Sequence, residues 1–403
     1  MLKLLKDAFK VKEIRNKIYF TIFILFIFRL GTHITVPGVD ASRLQSISDL
    51  PFLNMLDLVS GSAMQRFSIF SMGVSPYITA SIIIQLMQMD IVPKFVEWSK
   101  QGEVGRRKLN QATRYMTLVL GFAQSMALTA GFNMFTQYGF VPNPNAQTFI
   151  LIGVILTTGT MFVTWLGEQI TEKGIGNGVS MIIFAGIISR LPVDIKGLIE
   201  DYFINIEASK IWQSAIFMVL LVIAVLAIVT FVTYFQQAER KIPIQYTKRV
   251  AGAPTSSYLP LKVNAAGVIP VIFASSFITT PSAILQAFGN YEGEVWFETV
   301  QTLFNYNTVP GAILYTVLIV AFTFFYAFVQ VNPEKLAENL QKQGSYIPSV
   351  RPGKGTEDYV SGVLMRLSTV GALFLGLVAL LPILAQMLWN LPQSIPFSPM
   401  NFF

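Results

Sequence analysis

The 403-residue sequence contains no cysteine and a single histidine, His33. The first absence excludes disulfides, thiolate zinc sites, iron–sulfur clusters and a cysteine nucleophile. The second excludes a multi-histidine metal site, and with it the HExxH proteases. Charge is scarce too: 13% of residues are Asp, Glu, Lys or Arg, against about 25% in an ordinary soluble domain. The apolar stretches hold no GxSxG and no paired aspartate, so an intramembrane enzyme has nothing to work with. What fills the chain instead is apolar, 53% by residue type, with a mean hydropathy of +0.56. Much of it must face lipid, as in an integral membrane protein.

A membrane helix needs about 20 mostly apolar residues. Nine segments meet that requirement: 18–36, 73–92, 115–134, 148–167, 175–191, 211–235, 263–285, 310–331 and 367–388. The basic residues 1–17 precede an apolar run with no small-residue cleavage site, which reads as a retained helix rather than a signal peptide. With the N-terminus cytoplasmic, the inside segments carry 23 Lys/Arg and the outside segments 5, counting Arg190 at a span end. The positive-inside rule demands such a bias. The net charge of +7 is therefore largely a topology signal. Only Arg29 lies clearly within a span, with Asp90 and Arg190 at span ends. Snorkelling, or a bond to a loop carbonyl, accounts for Arg29. An ion-coupled solute carrier, the alternative class, would show more buried charge.

The most informative feature is a repeat. GVSPYITASI begins at Gly73 and GVIPVIFASS at Gly267, identical at six of ten positions and 194 residues apart. They fall in the second and seventh spans, which run in opposite directions. That is the pattern of an inverted-topology repeat, whose halves build a central pathway at their interface. Proline inside each span should kink it, and small residues should allow close helix approach. Ile78 and Ile272 would project near the mid-plane from the two halves. Apolar side chains at a constriction make a gasket that excludes ions by dewetting.

Polar groups nearby are few. Gln85 lies in the second span and Asn177 opens the fifth in the string GIGNG, which lacks the spacing of a phosphate loop. These amides suit either a weak latch between halves or ordinary interhelical glue. Between the first two spans, NMLDLVSGSAMQRF is too apolar for a free loop. It suits an interfacial helix or a segment tucked back into a pathway mouth. Two inside loops are long, 236–262 and 332–366, and each carries five Lys/Arg. They enforce topology, dock a cytosolic partner, or both; an acidic protein surface or ribosomal RNA phosphate would suit them.

The strings RFSIFSMGVSPYITASIIIQLM, GEVGRRKLNQATRY, LGEQITEKGIGNGVSMIIFAGI, KVNAAGVIPVIFASS and SYIPSVRPGKGTEDY resemble the SecY family of bacterial protein-translocation channels, over nearly the whole chain to about residue 385. The resemblance implies an all-α polytopic inverted-repeat bundle, here with nine of the family's ten spans, divided into halves 1–191 and 192–403. It implies a multi-pass protein of the bacterial cytoplasmic membrane that passes unfolded, signal-bearing preproteins and releases hydrophobic segments sideways into lipid. Implied partners are SecE, usually SecG, the SecA motor ATPase, the ribosome, signal peptides and preproteins, and membrane lipid. No cofactor, enzymatic activity or direct DNA binding is implied. Carried over by motif, an apolar pore ring would comprise Val74, Ile78, Val179, Ile183 and Ile272. A plug at about 55–66 would include Met55, Leu56, Leu58, Val59 and Met64. Gln85 and Asn177 match a lateral-gate polar cluster. Arg249 and Arg351 match loop arginines that meet SecA and the ribosome, with Arg240 and Lys248 beside them. After Asn390 only uncharged LPQSIPFSPMNFF follows, where the family has its tenth span and a basic tail.

Overall fold

The computed structural model describes residues 9–42, 60–61, 63–88, 92–135, 139–200, 211–246, 257–286, 294–305 and 308–389. The chain is mostly helical, and by packing it divides into two units, Met1–Gly197 with Ser276–Phe304, and Leu198–Ser275 with Asn305–Phe403.

The first unit contains α1 (Lys12–Gly31), α2 (Ser75–Met87), the short α3 (Pro93–Lys100), α4 (Gly102–Phe135), α5 (Ala146–Lys173) and nearly all of α6 (Gly178–Ile199). Helices α4 and α5 pack closely because small residues face one another. The Ser125 hydroxyl donates to the Gly153 carbonyl at 3.2 Å, and a methyl on Gly153 would meet the Met126 sulfur at 3.0 Å. Helices α5 and α6 meet at glycines also, since a methyl on Gly178 would fall 1.8 Å from the Gly167 carbonyl oxygen. Small residues bring backbones within van der Waals reach where lipid supplies no hydrophobic drive between helices.

Residues 64–74 are turns around an isolated bridge at Ser68, not a helix, and most of them are buried, with Gln65 and Arg66 exposed. Phe67 stands edge-on to Phe140 with ring centroids 4.8 Å apart and to Phe132 at 6.0 Å. Met64, Val36, Leu128 and Ile152 complete this core. Of the stretch NMLDLVSGSAMQRF, Ser60, Gly61, Ala63, Met64 and Phe67 are buried in protein and Gln65 and Arg66 are exposed, while residues 54–59 and 62 lie outside the described residues.

The second unit contains α7 (Ile211–Gln237), β1 (Glu239–Tyr246), β2 (Ser257–Lys262), the start of α8 (Ile269–Gln286), α10 (Val309–Gln330), α11 (Pro333–Lys342), β3 (Ser345–Tyr346) and α12 (Lys354–Trp389); α9 (Val295–Leu303) belongs to the first. Helices α10 and α12 form its apolar layer, with Gly376 against Thr316. Helix α7 is mostly exposed or half-buried, with Val232 its one buried residue among the described side chains, as suits a helix solvated by lipid or by another subunit.

Three short strands accompany this mostly helical architecture. They form an antiparallel sheet ordered β2-β1-β3, with Arg240 opposite Leu261 and Gln245 opposite Tyr346. The two long loops, 236–262 and 332–366, are thereby joined. The cause is visible in ERKIPIQY: buried Ile242 and Ile244 alternate with exposed Lys241, Pro243 and Gln245, a period of two. Both isoleucines are buried; Ile242 packs with Leu261, Ile347 and Val360.

Two further observations concern the spans. Six described helices are long and apolar enough to cross a membrane: Gly102–Asn133, Ala146–Lys173, Gly178–Gly197, Ala215–Gln237, Val309–Lys342 and Lys354–Leu381. Ser75–Met87 and Ile269–Ile278 are apolar but shorter. The 13 residues of α2 rise about 20 Å, short of a hydrocarbon core of about 30 Å. Nor do the repeated prolines kink their helices midway. Pro76 and Pro270 each occupy the second helical position, where a missing N–H costs nothing because first-turn donors have no helical partner.

Candidate functional site

The residues that the sequence marks as a constriction sit at helix starts. Val74 immediately precedes α2 and is fully buried, and the Ile78 amide donates to its carbonyl at 3.0 Å. Val74 and Ile78 are therefore one turn apart on one face. Gly73, with φ +51°, turns the chain into this helix. Gly267 has φ +64°, and the Ile272 amide donates to the Val268 carbonyl at 3.3 Å. Both repeat copies thus share a left-handed glycine, a proline in the first helical turn and an isoleucine one turn further on.

Val179 and Ile183 bear the same one-turn relation on α6; Val179 is half-buried and Ile183 buried. Val179 packs on Gly167. Ile272 is half-buried. It belongs to the second unit, whereas the other four constriction residues belong to the first.

The two amides form local bonds, not a bond with each other. Gln85 Nε2 donates to Ser81 Oγ at 3.2 Å, and its Oε1 is buried without a hydrogen-bond partner. Asn177 is exposed and caps α6: its Oδ1 accepts from the backbone N–H groups of Val179 at 3.1 Å and Ser180 at 3.4 Å. An N-terminal cap of this kind satisfies donors that have no helical partner.

Of the plug residues, Met64 is fully buried beside the Phe67, Phe132 and Phe140 rings. Met55, Leu56, Leu58 and Val59 lie outside the described residues. Of the loop cations, Arg240 on β1 and Arg351 before α12 are exposed, while Lys248 and Arg249 lie outside the described residues.

Three features escape a linear reading. Arg29 Nη1 donates to the Gly61 carbonyl at 2.7 Å and to Ser189 Oγ at 3.1 Å. The sequence suggested a loop carbonyl for Arg29 but gave no hint of a serine 160 residues away. Asn264, 3% exposed, clasps the left-handed turn before α8. Its Nδ2 donates to the Gly267 carbonyl, and its Oδ1 accepts from the Gly267 N–H, both at 3.1 Å. Thirdly, Arg114 on α4 makes a forked pair with Glu168 on α5, its Nε lying 3.1 Å from one carboxylate oxygen. Among the described residues, no group of three or more His, Asp or Glu side chains could hold a metal ion.

Comparison with known proteins gives this geometry a family. Residues 68–400 match the SecY family. The protein translocase subunit SecY of Lactococcus lactis subsp. cremoris is 63% identical over 395 residues, spanning 98% of this chain and 90% of the relative. Among solved structures, one concerns the SecY plug domain, described as stabilising the closed state of the translocation channel and maintaining a membrane seal. It aligns with a TM-score of 0.68 at 16% identity, over 96% of this chain and 88% of that one. Sec61 in a canine ribosome–channel complex from the endoplasmic reticulum aligns with a TM-score of 0.58 at 14% identity, over 96% and 88%. At such identities the structures speak for the fold, and the close sequence relative speaks for the family. The chain belongs to the SecY family of protein translocase subunits.

Proposed function

We propose that this chain is the channel subunit of a bacterial protein translocase. It passes unfolded, signal-bearing preproteins across the cytoplasmic membrane and releases hydrophobic segments sideways into lipid. The observation that carries this reading is the 63% identity to a translocase subunit over 98% of the chain. The solute-carrier alternative is not favoured by any relative found.

In this reading all nine apolar segments cross the membrane, with the N-terminus in the cytoplasm, and the two short helices are flanked by funnels that shorten the barrier. The halves 1–191 and 192–403 are inverted repeats. The matching left-handed glycine and first-turn proline in the two copies support that relationship. Val74, Ile78, Val179, Ile183 and Ile272 close around the polypeptide as an apolar ring. Such a ring passes a chain of any sequence while denying ions the hydration they need. Residues of about 55–66 plug the resting channel. Gln85 and Asn177 act at the lateral gate, where a signal sequence replaces their local hydrogen bonds.

The chain works as a conduit rather than an enzyme, and force comes from its partners. SecA or the ribosome docks on the cytosolic loops through Arg240, Lys248, Arg249 and Arg351. The sheet that unites β1, β2 and β3 gives both loops one rigid base. SecE, and SecG where present, brace the bundle within the membrane.

Site-specific photocrosslinking from Ile272 tests this. The chain is reconstituted with SecE in vesicles, and SecA, ATP and a stalled preprotein are added. An adduct that depends on ATP and on a signal sequence is expected. Its absence, with a related SecY giving one under the same conditions, counts against the channel reading.

A further inference from the structure

The turn between α5 and α6 is held at both ends by threonine hydroxyls, one of them from a helix far away in sequence. Thr21 on α1 is 4% exposed. Its Oγ1 donates to the Lys17 carbonyl at 2.9 Å and accepts from the Ile175 N–H, 154 residues on, at 3.2 Å. Gly174 makes room for this approach, since a methyl there would fall 2.5 Å from Thr21 Oγ1. Thr171, in the last turn of α5, repeats the arrangement. Its hydroxyl donates to the Gly167 carbonyl at 3.0 Å and accepts from the Gly178 N–H at 2.8 Å. Each hydroxyl thus joins a carbonyl of its own helix to an amide of the turn. Between the two anchored amides lie only Gly176 and Asn177, both exposed. Gly176 has φ +71°, and a methyl on it would meet nothing within 4 Å.

We infer that Thr21 and Thr171 are positioning residues for the constriction: they fix where α6 starts, and with it Val179 and Ile183. Those two side chains belong to the proposed ring, so this role rests on the channel reading and deepens it. An α-helix leaves its first amides without helical partners. In α6 the Gly178 amide goes to Thr171, and the Val179 and Ser180 amides go to Asn177. Asn177 moves with the turn, so its cap orders the helix start but ties it to no other element. The threonine bonds tie the turn to the bodies of α1 and α5. Gly178 lies against the Gly167 backbone, which leaves α6 no slack toward α5. Without the hydroxyls the turn pivots at Gly176, and Val179, one residue beyond Gly178, moves first. A signal sequence that draws Asn177 away leaves both threonine bonds in place, since neither passes through that side chain.

Isosteric substitution tests this in vesicles that hold the chain together with SecE. Thr21→Val and Thr171→Val keep the side-chain shape and remove the hydroxyl; Thr21→Ser and Thr171→Ser keep the hydroxyl. The chain has no native cysteine, so Ile183→Cys, at a position 8% exposed, reports on the ring. The readout is its rate of labelling by a charged thiol reagent. In that background either valine variant should speed labelling about fivefold, the population shift that one net hydrogen bond is worth. Resting ion conductance should rise alongside. The serine variants should return both readouts to the parent values. Thr171 is exposed, so its valine variant tests the role without disturbing the buried contact of α1. Equal labelling in valine and serine variants would overturn the positioning role, as would faster labelling that serine fails to reverse. An unsubstituted chain that passes no preprotein with SecA and ATP would overturn the channel reading instead, and the two failures are thereby told apart.

Discussion

Gly159 on α5 lies against the backbone of Ile69: a methyl on Gly159 would fall 1.8 Å from the Ile69 carbonyl oxygen. The buried turns that lead to Gly73, Val74 and α2 are thus seated on a helix through a position that tolerates no side chain. Their other side is held by Phe28, whose ring stacks on Phe70 at 6.0 Å, and by Gly31, where a methyl would meet the Phe70 ring at 1.9 Å.

Gly159→Ala should therefore destabilise the first unit. Backbone cannot yield as a flexible side chain does, and overpacking costs about 1–3 kcal/mol. A lower unfolding temperature in detergent is expected. An unchanged midpoint would mean that the Ile69 turn relaxes freely.

Replacing Ile78 and Ile272 together with Ser should raise ion leak through the resting channel several-fold while preproteins still pass. In the proposed ring, a hydroxyl would invite water that apolar side chains exclude. Single-channel conductance in planar bilayers measures it, and unchanged conductance would count against the gasket.

Asn264→Ala removes both side-chain hydrogen bonds to the half-buried Gly267 and leaves its N–H only the 3.4 Å bond to the Asn264 carbonyl, at a cost of about 1 kcal/mol for each bond lost. The turn into α8 should loosen. Thermal unfolding should fall, and hydrogen exchange at residues 267–272 should quicken before exchange elsewhere does.

Arg351→Glu should reduce SecA-driven transport and leave resting conductance alone. Its side chain is exposed, so the fold does not depend on it. A reversed charge at a docking face acts on association and changes its salt dependence. Equal loss of transport with a nascent chain on the ribosome would mark a shared docking point; selective loss would assign it to the motor.

Much of this molecule can be read without coordinates, because lipid imposes a simple grammar. Each apolar run of about 20 residues must satisfy its own backbone bonds, and only a helix does so within one segment. Each of the nine apolar segments accordingly overlaps a helix. The repeat at Gly73 and Gly267 is legible for a similar reason, since a left-handed turn and a first-turn proline are conditions on residue type.

What composition could not decide is where those prolines fall relative to the helix start. Pro76 and Pro270 open helices rather than kink them, because the preceding glycines turn the chain just before them. Nor could it show that the two long basic loops share one sheet. The alternation in ERKIPIQY spans only a few residues, and β3 is two residues long, below any periodic signal.

The sequence by itself determined the membrane class, the helical segments, the repeated motif and the family, because each is a property of local composition or of residue identity in order. Only the tertiary structure decided that Arg29 meets Gly61 and Ser189, that Gly159 seats the Ile69 turn, and that Gln85 and Asn177 bond locally. Those contacts depend on which backbones approach within hydrogen-bonding distance across as many as 160 residues of chain. A glycine or an arginine can take part in such an approach in many places, and packing selects one.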